Sequence, residues 1–286
     1  MPEVVLIFTG VVVFAQMYGL GTRQEVGSIR ALLSDTSLLF RSLISVLVVM
    51  PLATLVIMFL LPVRPEVALG LAILAAAPGA PLTTRRSEAA AADFNYVASL
   101  QLLLALLAVV YTPFVLFLFS HLPQVAATPV SLDTVAAQVG LVTFLPAVLG
   151  WASARAVPRL RNRHNKVVAI VSKGLYLLFL AALLAALALL PDLRQSLAIG
   201  WTTAFSVVIL CAVALASGYT LGGPVRSKRA GLAIATIARN IGLSLYIAEQ
   251  SELSYPAIPT ILLFALIGVC MALPASVVFK RFLGGT

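Results

Sequence analysis

Three arginines stand in stretches that are otherwise apolar: Arg85 and Arg86 in one, Arg239 in another. A guanidinium near the middle of a bilayer costs about 2.5–3.5 kcal/mol on insertion scales, so such a side chain must face a bundle interior or a watery cavity. The surroundings of the arginines are equally out of place. Pro78-Gly79-Ala80-Pro81 leads into Thr83-Thr84-Arg85-Arg86-Ser87-Glu88, and Ala230 to Ala238 runs into Arg239-Asn240-Ile241-Gly242 before returning to apolar sequence. Proline withdraws a backbone donor and glycine loosens a helix, and freed carbonyls are tolerated at membrane depth only inside protein or beside water. Pro78, Gly79, Pro81 and Gly242 therefore mark two helices broken near their middles. Half-helix N-termini present unpaired N–H groups and positive dipole ends, which suit an anionic group. Arg85, Arg86 and Arg239 against Glu88 leave an excess of positive charge at the breaks. The chemistry this predicts is non-covalent recognition of an anion. Thr83 and Thr84 would bind its polar head or an ion, Arg239 would supply fixed charge, and Asn240 would bond to backbone exposed at the break. Arg85, Arg86, Ser87, Glu88 and Gln101 form a second tier.

The elements that must position these residues follow from composition and pattern. Of 286 residues, 61% are hydrophobic and 10% charged, against roughly 45–50% and about 25% in a soluble domain. A water-soluble fold is excluded, because the polar surface would not cover that core. Apolar windows predict nine membrane segments: 4–22, 38–61, 66–93, 96–119, 134–156, 166–190, 199–222, 227–249 and 257–281. The third and eighth are the interrupted ones, and no linker divides residues 1–286, so the expectation is one integral membrane transporter domain, all-α and polytopic. Corresponding interrupted segments in the two halves point to a transporter built from inverted repeats, with two crossing discontinuous helices.

Orientation is read from the basic residues, which favour cytoplasmic loops. One set of alternate loops carries Arg23 and Arg30, the run Arg155 to Lys166, then Arg226, Lys228 and Arg229, and finally Lys280 and Arg281; the other carries only Arg64 and Arg194. The N-terminus is predicted outside and the C-terminus cytoplasmic, in a plasma or inner membrane. The net charge of +9 thus reports topology rather than nucleic-acid binding. Met1-Pro2-Glu3 lacks the basic start of a cleaved signal, so the first segment is expected to be a retained span. Cys211 and Cys270 lie in apolar runs without metal-ligand neighbours and read as packing thiols. His121 and His164 fall in opposite loop sets and the carboxylates do not pair, so no enzyme site is expected. Gly140, Gly150, Gly218 and Gly222 are placed where helices approach closely.

With Pro78-Gly79 in the third segment, Leu145-Pro146-Ala147-Val148-Leu149-Gly150 in the fifth and Asn240-Ile241-Gly242-Leu243 in the eighth, the chain resembles the bile acid:sodium symporter (SBF-like) family. The resemblance implies nine or ten spans arranged as panel and core domains, and a nine-span form here. It also implies secondary transport of a small or amphipathic organic anion by alternating access. Sodium-coupled members carry a Ser-Asn pair after the first break, where this chain has Thr83-Thr84. At the second break they carry a Glu and a Gln, where this chain has Ala235 and Arg239; at the hydroxyl positions of the following helix it has Gln101 and Ala105. A sodium ion wants several oxygens, and a neighbouring guanidinium repels it. The expectation is therefore an altered sodium site, with no resident metal or cofactor. Transport would be sodium-independent or proton-linked, with Glu88 or Asp93 as proton carrier. A channel, or a transporter-like receptor without coupled cycling, is the alternative on the same fold. An arsenite-exporter activity would need a cysteine beside the first break, and there is none.

Overall fold

The computed structural model describes residues 2–80, 83–125, 132–156, 200–249 and 255–284, with isolated helical positions between 166 and 181. Among the described residues the chain is helical throughout, without a strand. Helix α1 is Pro2–Arg23, α2 Val26–Ser34, α3 Thr36–Leu60, α4 Pro65–Ala76, α5 Thr83–Ala89 and α6 Phe94–Phe119; α7 covers 132–156. After these come α8 Trp201–Leu221, α9 Arg226–Ile237, α10 Ile241–Glu249 and α11 Ile258–Gly284.

Five of the described spans are long and apolar enough to cross a membrane: Thr36–Leu60, Phe94–Phe119, Trp201–Leu221, the interrupted Arg226–Glu249, and Ile258–Arg281. Pro65–Ala76 and Gly140–Ala156 are shorter apolar helices. The protein is thus an integral membrane protein. The outward faces of the long helices carry large apolar side chains, with Phe59, Leu60 and Trp201 about three-quarters exposed, as suits lipid contact. Phe114 and Phe117 face outward in the same way. The expected sixth segment and the basic residues Arg159, Arg161, Arg163 and Arg194 fall mostly or wholly outside the described residues.

Two features depart from the pattern read off the sequence. The stretch after Arg23 is not a plain loop: Val26–Ser34 forms α2, which buries Leu32 against Leu38, Leu100 and Leu104. Its apolar side gains from burial what a loop could not. Cys270 is exposed on α11 rather than packed, whereas Cys211 is buried.

The interrupted helices occupy the interior. Every residue from Val67 to Ala77 is buried, as is every residue from Ala230 to Asn240. A helix apolar all round must be enclosed by others, and here α3, α6, α8 and α11 supply the enclosure. Each interrupted helix sits between two long ones in chain order, α3 and α6 for the first, α8 and α11 for the second. The long helices carry their own irregularities. A π-turn over Ile44–Val49 precedes Pro51, and another over Gly140–Phe144 precedes Pro146, because a proline nitrogen cannot close the regular ladder.

Helix α1 pairs chiefly with α7 and also packs against α10, the second half of the second interrupted helix. A Cβ on Gly21 would collide with the Ala147 carbonyl, and one on Gly150 with the Tyr18 carbonyl, so backbones touch where small residues allow it. Tyr18 also donates to Ser153 Oγ at 2.8 Å. Gly218 and Gly222 play the same role between α8 and α9, against Ala233 and Arg229. Gly140 does not: no atom lies within 4 Å of its added Cβ, because it belongs to the widened π-turn. Gly21→Ala or Gly150→Ala is expected to cost about 1–3 kcal/mol by overpacking and to lower the thermal unfolding midpoint in detergent. Gly140→Ala should leave the midpoint unchanged, and an equal drop in all three would contradict this packing.

Candidate functional site

At the first break α4 stops at Ala76, Ala77 turns out of helical conformation (φ −110°, ψ 76°), and Gly79 adopts φ +77°. Only glycine takes that conformation without strain, and its missing Cβ also lets the break lie against Leu104 and Ala105 of α6. The end of α4 leaves carbonyls without intrahelical partners, and their partners can be named one by one. Leu74 O accepts from Arg239 Nε at 2.8 Å and Ala75 O from Arg239 Nη2 at 2.5 Å. Ala76 O accepts from Thr112 Oγ1 at 2.7 Å, and Ala77 O from the Asn240 backbone N–H at 3.0 Å. Gly79 O accepts from Gln101 Nε2 at 2.6 Å, and Ala80 O from the Thr83 hydroxyl at 2.6 Å.

The second break is built to reach the first. Ala238 leaves the helix (φ −79°, ψ 101°), which aims Arg239 and Asn240 at α4. Asn240 then caps α10, its Oδ1 accepting from the Leu243 N–H at 3.0 Å. The two breaks are thus joined directly, backbone to backbone, at Asn240 N–H and Ala77 O.

Arg239 has a third contact, Nη1 to Val46 O of α3 at 3.2 Å, and Tyr111 Oη donates to Leu47 O at 2.8 Å. Both carbonyls belong to the π-turn preceding Pro51, whose nitrogen has no proton to give them. One guanidinium therefore satisfies freed carbonyls on two helices at once, which its planar fork of donors allows and a lysine ammonium would not. It is 2% exposed, and its contacts are main-chain oxygens at the negative end of α4 rather than a carboxylate.

The remaining sequence-selected residues lie around this crossover. Thr83, Thr84, Ser87 and Gln101 are all buried, and Ser87 donates to Thr84 O at 2.8 Å. A hydroxyl that donates in this way keeps acceptor capacity. Arg86 is half-buried with its Nε unpartnered. Glu88 pairs with Arg23 at the end of α1, both partly exposed, rather than with Arg239. Gly242 lies within the first turn of α10. Pro81 and the side chain of Arg85 lie outside the described residues. Ala235 and Ala105 are buried in apolar clusters, and no group of three or more His, Cys, Asp or Glu residues able to hold a metal occurs among the described residues.

Tyr111 and Thr112 were not among the residues selected from the sequence. A signal for Thr112 exists: it lies eleven residues, just over three full turns, beyond Gln101, so both present polar groups from one face of an otherwise apolar helix. Pro51, the counterpart of Tyr111, announces an orphaned carbonyl in a span that shows no other break.

Two interrupted helices meeting inside an all-helical membrane protein are a feature that transporters use. Residues 10–191 match the Sodium Bile acid symporter family, and the chain belongs to that family, whose members are transporters. The match includes the first break and ends before the second. No curated protein matches the chain individually.

Arg239→Ala would strip the guanidinium donors from the Leu74, Ala75 and Val46 carbonyls, leaving Leu74 O with the Ala77 N–H at 3.2 Å and Ala75 O with Tyr111 Oη at 3.4 Å. It is expected to destabilise the fold by on the order of 3 kcal/mol. Arg239→Lys should recover part of that loss, since it restores a charge but not the fork. Unfolding midpoints in detergent check the order wild type, then Lys, then Ala; an Ala variant as stable as wild type would sink this role.

Proposed function

We propose that the protein is a secondary active transporter of a small or amphipathic organic anion, working by alternating access without a coupled sodium ion. The observation that carries the transporter reading is the bond between the breaks, Asn240 N–H to Ala77 O, which brings two interrupted helices together in the interior. Interrupted helices at a repeat interface are where such proteins hold substrate and ions. The buried hydroxyls of Thr83, Thr84 and Ser87, next to the first break, are the groups assigned to the polar head of the substrate. The order of long, interrupted and long helix on each side of α7 supports an inverted repeat within nine spans, with α1 and α7 in the panel and the broken helices in the core. The distribution of Lys and Arg supports an outer N-terminus and a cytoplasmic C-terminus in a plasma or inner membrane.

Sodium independence rests on the missing carboxylate at Ala235 and on the Arg239 guanidinium, which repels a cation, while each carbonyl at the break has one of its two lone pairs engaged. A sodium ion at a helix break is held by freed carbonyls and a carboxylate. In this chain Leu74, Ala75, Ala76, Ala77, Gly79 and Ala80 each already accept from a protein donor, and Ala235 stands where the resemblance places the carboxylate. Arg239 holds permanently the positive charge that an ion would otherwise bring.

A thermal-shift screen of organic anions, run in parallel in sodium and choline buffers, followed by proteoliposome uptake of each stabilising anion, tests both parts. The expected result is stabilisation and saturable uptake that agree within about twofold between the two cations. Uptake abolished in choline would overturn the sodium independence, and failure of every anion to bind would overturn the substrate class.

A further inference from the structure

Besides its contact with α10, helix α1 meets α7 and α6 in two different ways. On its α7 side, α1 touches backbone to backbone through Gly21 and Gly150. Toward α6 the two backbones scarcely approach, and side chains fill the space: Met17 and Leu20 of α1 against Phe94, Ala98 and Leu102. The first contact is a fixed joint and the second is a seam.

At the basic end of that seam three polar contacts close it. Arg23, the last residue of α1, forms an ion pair with Glu88 of α5, and its guanidinium lies 3.9 Å over the ring of Phe94 at the start of α6. Gln24, the next residue, donates through Nε2 to Ser99 Oγ of α6 at 3.2 Å. All three reach from the α1–α7 pair onto α5 and α6, which carry the first break.

We infer that Arg23 and Gln24 form a latch that closes the basic face of the protein by fastening α1 to Glu88, Phe94 and Ser99, and that it must part each time the binding region opens to that face. The latch rests on the alternating-access reading above.

Its chemistry suits a contact that is made and broken. Arg23 and Glu88 are 39% and 30% exposed, so water reaches the pair and competes with it. Such an ion pair together with an exposed cation–π contact biases an equilibrium by about tenfold, enough to favour closure without locking it. Gln24 adds a push the other way: it is 6% exposed, and its Oε1 is buried without a donor. Opening would hydrate that oxygen, so the closed state carries an unsatisfied group that the open state relieves. Ser87, fully buried one residue before Glu88, lies behind the latch and reports on it.

The test needs no substrate, so its outcome is separate from whether anions are carried. In a Cys270→Ser background, Ser87→Cys is labelled with a membrane-impermeant cationic thiosulfonate applied to either face of reconstituted vesicles. With the latch intact, labelling from the basic face should be slow. Arg23→Ala or Glu88→Ala should raise it about tenfold from that face alone. The charge-reversed pair Arg23→Glu with Glu88→Arg should slow it again, and Arg23→Lys should fall between. Equal labelling in all variants, a rise from both faces together, or no recovery in the reversed pair would overturn the inference. Size-exclusion profiles identify any variant that fails to fold, in which case the Arg23→Lys comparison decides the question.

Discussion

A helix interrupted at membrane depth must find a donor for every carbonyl it frees, because lipid offers none. Here that demand falls on Leu74 to Ala80 at the first break and on Val46 and Leu47 beside Pro51. Arg239 and the Asn240 N–H from the second break, Gln101, Tyr111 and Thr112 from α6 and Thr83 from α5 meet it. The position of the second break and the face that α6 turns inward both answer this one requirement. Arg239 is central because no neutral side chain carries enough donors to serve α3 and α4 together.

The chain belongs to a family named for sodium, and in our proposal the residues at its breaks stand in for the bound cation. A carbonyl oxygen that accepts one hydrogen bond keeps a second lone pair, so it is the charge of the guanidinium among these donors that would oppose a cation there. Ala235 and Ala105, both buried among apolar neighbours, leave no carboxylate or hydroxyl at the positions implied by the resemblance.

Two kinds of helix contact divide the molecule mechanically. Glycine-mediated contacts, α1 with α7 and α8 with α9, place backbone against backbone and resist sliding. The seam between α1 and α6 depends on side chains alone and ends in contacts that water can reach. The α1–α6 seam is the looser of these contacts, while α1 also packs against α10.

Much of this was legible in the residues. Hydropathy placed the described long helices, Pro78-Gly79 and Arg239-Asn240 marked both breaks, and Gly150, Gly218 and Gly222 marked close contacts, because each depends on local covalent chemistry or on lipid as solvent. Other features were not legible. The amphipathic α2 looked like a loop, and Gly140 looked like a packing glycine until the π-turn opened space around it. Above all, the sequence determined that Arg239 had to be buried beside a break, and only the tertiary structure decided what it binds. Its partners lie about 165 and 193 positions away, and hydrogen bonds between main-chain oxygens and a distant guanidinium leave no periodicity or motif behind.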